Sequence, residues 1–121
     1  MRKPTENEVA RAKEIMAKAG GNPLTKQDHV YANETILMAN FPATVKLKLQ
    51  AMRIGDLGIA AVPCEVFTEI GLKLKQDSPL KSKFIVSLAN GYNHYLPSVE
   101  HHRLGGYETW RAQSSYLEVG A

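Results

Sequence analysis

Leu57-Gly58-Ile59-Ala60-Ala61-Val62-Pro63-Cys64-Glu65-Val66-Phe67-Thr68-Glu69-Ile70-Gly71 is the stretch on which the reading of the fold turns. Leu57 to Val62 is apolar throughout, the pattern of a strand covered on both faces. Pro63 ends it, because proline has no N–H to give a ladder. From Cys64 to about Lys75 the period becomes helical, with Val66, Phe67, Ile70, Gly71 and Leu74 on one stripe. Asp77-Ser78-Pro79 breaks that helix, and Phe84-Ile85-Val86-Ser87-Leu88 predicts a second buried strand. Strand, helix and strand form a crossover unit, expected to be parallel and right-handed.

Working upstream, Val45, Leu47, Leu49 and Ala51 alternate with Lys46, Lys48 and Gln50. Period two with one charged face predicts a half-exposed strand. Gly55-Asp56 reads as the turn that joins it to Leu57 in a hairpin. Further back, Thr5 and Glu8 have the spacing of a capping box, and Val9, Ala12, Ile15, Met16 and Ala19 follow at helical spacing. Gly20-Gly21 ends this helix. Thr25 and Asp28 suggest a second helix start, His29 to Ala39 carries Val30, Leu37 and Met38 on one side, and Pro42 stops it. Downstream of Ala89 the chain is rich in Gly, Tyr, His and Asn and reads as loop, with Gly105-Gly106 a flexible point. Residues 107–121 show no clean period. The expected fold is mixed α/β over residues 1–121 as one domain: two N-terminal helices, a β-hairpin, a β-α-β crossover and a loop-rich C-terminal segment.

Composition excludes several classes. The chain has 121 residues, 44% of them hydrophobic and 22% charged, which is enough for one modest core and unlike a disordered sequence. The formal net charge of +3 comes from scattered lysines (Lys13, Lys18, Lys26, Lys46, Lys48, Lys73, Lys75). They read as solvated faces, not as the concentrated stripe that phosphate recognition needs, so no nucleic-acid partner is expected. Cys64 is the single cysteine, so no internal disulfide can form. No apolar run reaches the roughly 18 residues of a membrane span. The polar start Met1-Arg2-Lys3-Pro4-Thr5-Glu6-Asn7-Glu8 lacks the apolar stretch of a secretory signal, and the compartment stays open.

Sites in open α/β sheets gather at the carboxyl ends of strands. Two loops begin at such ends: Pro63-Cys64-Glu65, and Asn90-Gly91-Tyr92-Asn93-His94-Tyr95. If the two strands are neighbours, a carboxylate, a histidine and two phenols converge. Glu65 near a helix start reads either as simple dipole complementarity or as a metal ligand or general base, and Glu69 as a helix-surface charge. Cys64 reads as a small buried residue or as a thiol activated by the helix start. Adjacent His101 and His102 beside Glu100 would point to opposite sides of an extended loop, and the spacing from His94 to His101 matches no strong zinc signature. His29 near a helix start carries no signal. Gly105-Gly106-Tyr107-Glu108 has no phosphate-loop pattern.

The run from Ile54 through Gly71 is similar to a neutral/alkaline ceramidase segment in which Gly-Asp, an apolar strand and Pro-Gly-Glu follow one another. Leu88-Ala89-Asn90-Gly91-Tyr92-Asn93-His94-Tyr95 resembles the Asn-x-Tyr-x-x-Tyr motif of the same family, and Gly105-Gly106-Tyr107-Glu108 resembles a run seen in bacterial relatives. The resemblance covers residues 43–121, the C-terminal part of the family's catalytic domain. It implies a zinc-dependent amidase acting on the N-acyl amide of ceramide-like lipids. It also implies that Glu65 and Tyr95 are two of the four zinc ligands, the other two being histidines. Zinc accepts oxygen donors and acidifies a bound water for attack on a carbonyl.

Two departures accompany the resemblance. Cys64 stands where the family has glycine, and none of this chain's histidines matches the family's two ligands, which lie in earlier sequence. The expectation is therefore an excerpt of a larger catalytic domain, inactive alone, with Glu65 and Tyr95 at the metal position. The alternative is a non-catalytic α/β module that self-associates into a homo-oligomer through exposed sheet edges. A third reading recruits His94, His101 or His102 beside Glu65 and Tyr95 into a new zinc site.

Overall fold

Local signals build the N-terminal helix as its sequence implies. In the computed structural model, which describes residues 1–20 and 25–121, α1 spans Glu6–Lys18. The Thr5 hydroxyl accepts from the Glu8 N–H at 3.3 Å, and the Glu8 carboxylate takes the Thr5 N–H at 2.7 Å. Both halves of the capping box are thus made. Gly20 closes the helix with φ of +63°; Gly21 lies outside the described residues. α2 spans Gln27–Ala39. Its cap position is Lys26, with no side-chain cap bond, so Thr25 does not start it; Asp28 sits inside the first turn, where a carboxylate complements the helix dipole. Lys3 reaches the other end, its ammonium donating to the carbonyls of Met38 (3.2 Å) and Ala39 (2.6 Å). That is the favourable position for a cation on a helix C-terminus.

The hairpin is shorter than the alternation predicts. β1 spans Gln50–Ile54 and β2 spans Leu57–Val62, antiparallel, with Gln50 opposite Ala61 and Ile54 opposite Leu57. Residues 44–49 form no ladder. The register sets Lys48 opposite Pro63, which has no N–H to donate, so the ladder is not carried further. Gly55 turns the chain with φ of +58°, a value that the first central residue of a tight hairpin turn often needs.

The second correction lies just after Pro63. Glu65–Val66 is not helical but a two-residue strand, β3, and α3 begins only at Thr68, spanning Thr68–Asp77. The reason is where the backbone donors go. The Glu65 N–H bonds the His94 carbonyl at 2.8 Å and the Val66 N–H bonds the Ser87 hydroxyl at 3.1 Å. These partners lock the segment into extended pairing before a helical turn can form. β3 pairs in parallel with β5, Tyr95–Leu96, in the stretch that reads as loop from sequence.

β4 spans Ser82–Ser87 and pairs in parallel with β2, Leu57 opposite Ser82 and Val62 opposite Ser87. The expected β-α-β unit is present, in a sheet of order β1-β2-β4. β4 is an edge strand and not the buried strand its apolar run predicts: Phe84 and Val86 stay 43% and 39% exposed. Leu88 leaves the strand at φ of +55°. A short helix α4, Val99–Leu104, and a 3-10 turn, Tyr107–Thr109, follow.

The fold is mixed α/β. Its core gathers where α2, the end of β2 and the C-terminal segment meet: Met38, Val62, Cys64, Tyr116 and Leu117, with Phe41, Val66, Ile85 and Leu96 packed against them. Burial of each such large side chain stabilises by about 1.5–3 kcal/mol. The aperiodic C-terminal segment thus completes the core. It is tied to the start of the chain by Arg2, which donates to the Thr109 carbonyl (2.7 Å) and the Ser115 hydroxyl (2.8 Å). Among the described residues, no helix is long and apolar enough to cross a membrane.

Candidate functional site

Parallel pairing of β2 with β4 sets the two loops at their carboxyl ends side by side. The loop after β4 is fastened directly to Pro63: Asn93 donates to the Pro63 carbonyl through its backbone (2.7 Å) and its side-chain amide (3.1 Å). Tyr116 in turn donates to the Asn93 side-chain oxygen at 2.9 Å. Gly91 sits so close that a Cβ there would lie 3.0 Å from the Pro63 Cβ. Leu88, Asn90 and His94 all hold left-handed φ, an uncommon conformation for residues with side chains. The fastening to Pro63 and to the core keeps the loop in this shape.

Glu65 and Tyr95 are register partners on β3 and β5. The Tyr92 hydroxyl donates to the Glu65 carboxylate at 3.2 Å. The Tyr92 ring lies against His94, centroids 4.3 Å apart, and His94 packs edge-on to Tyr116 at 5.8 Å. Tyr95 meets Tyr107 edge-on at 5.8 Å. Carboxylate, imidazole and phenols therefore converge as the topology implies, and Tyr107 joins them.

The electrostatics are negative. The hydrogen bond with Tyr107, then desolvation, then the Glu65, Tyr107 and Glu108 charges push the Tyr95 phenol up to about 12. Tyr92 is raised by desolvation and by its bond to Glu65. Both phenols are neutral at physiological pH. Of these causes only the carboxylate charges of Glu65 and Glu108 would also favour a cation; desolvation would oppose one.

Zinc is the group that the resemblance implies, and the donors decide how far it fits. Glu65 and Tyr95 are oxygen donors of a kind zinc accepts, but zinc sites in proteins take three or four protein ligands. Among the described residues, no three of His, Cys, Asp and Glu gather to hold a metal. His101 is engaged elsewhere: its Nδ1 is 2.7 Å from the Ser98 hydroxyl, its Nε2 is 3.8 Å from Glu69, and its ring stacks edge-on to Phe67 at 4.5 Å. His102 is its neighbour on α4, with a pKa lowered by burial and then by Arg2 and His101. His94 is the histidine beside Glu65, and its Nδ1 is buried without a partner. Glu65 and Tyr95 thus offer two oxygen donors, fewer than a zinc site takes.

Cys64 is fully buried, and desolvation raises its pKa, so it is a core residue and no activated nucleophile. The alternative, activation by a helix start, has no basis, because α3 begins four residues later. Gly105 and Gly106 turn the chain with φ of +88° and +118°. Sequence reasoning missed Tyr107 as Tyr95's partner, although the aromatic residue after the glycine pair was the available signal. Comparison of the chain with protein-family models, with curated proteins and with solved structures finds no match.

Proposed function

We propose that this chain carries the glutamate-and-tyrosine half of a zinc amidase site of the neutral ceramidase type, one that cleaves the N-acyl amide of ceramide-like lipids. The observation that carries the reading is the pairing of Glu65 with Tyr95 on adjacent strands. Two residues 30 positions apart, picked out by motif, stand next to each other in a negatively charged corner. Histidine donors from outside these residues would complete the set, and the 121 residues alone are inactive.

The test is the zinc content of purified chain by elemental analysis, for wild type, Glu65→Ala and Tyr95→Phe. Zinc retained by wild type and lost in both variants supports the half-site. Because two donors hold zinc weakly, the wild type is also titrated with zinc, and no binding at millimolar zinc that depends on Glu65 and Tyr95 refutes it. Hydrolysis of an N-acyl sphingosine by the purified chain, abolished by Glu65→Ala, would show a complete site and refute the claim of inactivity.

A second reading, a non-catalytic module that self-associates, is favoured by one feature. Met52, Ile54, Phe84 and Val86 are 56%, 66%, 43% and 39% exposed on the two edge strands of the sheet. Apolar edges of this kind invite pairing with another copy. A monomeric mass at micromolar concentration in light scattering would dismiss it.

A further inference from the structure

We propose that the groove between α3 and the sheet binds a single-chain anionic amphiphile, a medium-chain fatty carboxylate. The groove lies on the face of the sheet that α3 covers and uses neither Glu65 nor Tyr95, so it stands apart from the zinc reading.

Its origin is small residues in register. Ala51, Ala60 and Ile85 are partners across the three strands, as are Arg53, Gly58 and Lys83. Partners in register share a face. α3 rests on this face where Gly71 approaches Ile85; a Cβ on Gly71 would lie 3.7 Å from the Ile85 Cδ1. Beside that contact, Ala51, Gly58 and Ala60 are too small to fill the space beneath the end of α3. Leu80 folds over Gly58, leaving 2.5 Å between its Cδ1 and the site of a Cβ. The result is a cavity of about 330 Å³, walled by Ala51, Ala60, Leu74, Leu80, Phe84 and Ile85. That volume holds about ten methylene groups if each fills roughly the 30 Å³ share of a liquid water. It lies at the lower end of the size of small-molecule sites.

The rim sets the head group. Lys75 and Lys83 line the groove together with one carboxylate, Asp77. Asp77 is already paired with Lys73 at 3.0 Å. Lys83 donates to the Ser78 carbonyl at 3.0 Å, and Lys75, which lines the groove, has no ion pair or hydrogen bond among the described residues. Two lysines thus stand at the groove against one carboxylate, which is already paired. An apolar slot with a cationic rim is complementary to an acyl tail with an anionic head. The tail confers affinity by burial, and each methylene is worth about fourfold.

The experiment is titration of the chain with monomeric decanoate by calorimetry, in buffer containing chelator so that zinc plays no part. Hexanoate, decyltrimethylammonium and phosphatidylserine vesicles are run beside it. One saturable site is expected, with affinity falling about fourfold per methylene removed and the cationic amphiphile bound more weakly. Lys75→Glu, an exposed change that leaves the core alone, should weaken decanoate severalfold. Ala60→Leu should abolish binding while circular dichroism shows a folded chain. Equal binding of the cationic amphiphile overturns the proposal, as does undiminished binding by both variants. Binding to vesicles without binding to decanoate overturns it in favour of a membrane surface. A dimer that Ala60→Leu converts to monomer overturns it in favour of a second copy filling the groove.

Discussion

Glu8 joins the two ends of the chain, and its removal separates two contributions to stability. Its carboxylate closes the capping box on Thr5 and also pairs with Arg111, at 2.7 Å, across 103 residues of sequence. The Arg111 hydrogen bonds, then those of Thr5, hold its pKa down at about 2. Glu8→Gln keeps a capping-box residue and loses the ion pair, whereas Glu8→Ala loses both. The Glu8 side chain is 45% exposed, so solvent screens the pair, which contributes about 0.5–1 kcal/mol at most. The cap adds about 1 kcal/mol. Glu8→Gln should therefore lower Tm by about 2–4 °C and Glu8→Ala by about 5–8 °C at neutral pH. The pKa is depressed by folding, so the ion-pair share is fully present above the unfolded value near 4.5 and is lost as pH falls toward 2. Thermal or urea unfolding of wild type and Glu8→Gln from pH 7 to pH 2 reads this directly. The gap between them should close below pH 4.5 and narrow in high salt. No gap at pH 7, or one that persists unchanged at pH 2, would refute the reasoning.

Ultraviolet titration tests the corner around Tyr95. Its phenol should ionise near pH 12, the last tyrosine step should vanish in Tyr95→Phe, and the step should move down in Glu65→Gln because one negative charge is gone. Met38 is fully buried in the core cluster, so Met38→Ala should cost about 2–5 kcal/mol in urea unfolding. The same core protects Cys64, whose thiol should ignore a thiol reagent in the native wild type and react in the destabilised variant.

Strong local patterns were legible. The Thr5–Glu8 box, the apolar run of β2, the turn at Gly55, and the helix stripe ending at Asp77 all correspond to real elements because each is decided by neighbours in sequence. The convergence of Glu65, Tyr92, His94 and Tyr95 also followed from topology, once strands β2 and β4 were taken as neighbours. The errors fall where a distant partner overrides the local preference. Glu65 and Val66 carry a helical stripe but become a strand because His94 and Ser87 take their backbone N–H groups. Two-residue strands such as β3 and β5 are too short to show a period.

By itself the sequence determined the mixed α/β class and the order of the main elements. Those depend on periodicity and on the backbone limits of proline and glycine, which act over a few residues. Only the tertiary structure decided that the aperiodic tail supplies Tyr116 and Leu117 to the core, that Arg111 reaches Glu8, and that Ala51, Gly58 and Ala60 leave a groove beneath α3. The physical reason is common to all three: packing and ion pairing join groups far apart in sequence, and no local pattern records which distant side chain will fill, or fail to fill, a given space.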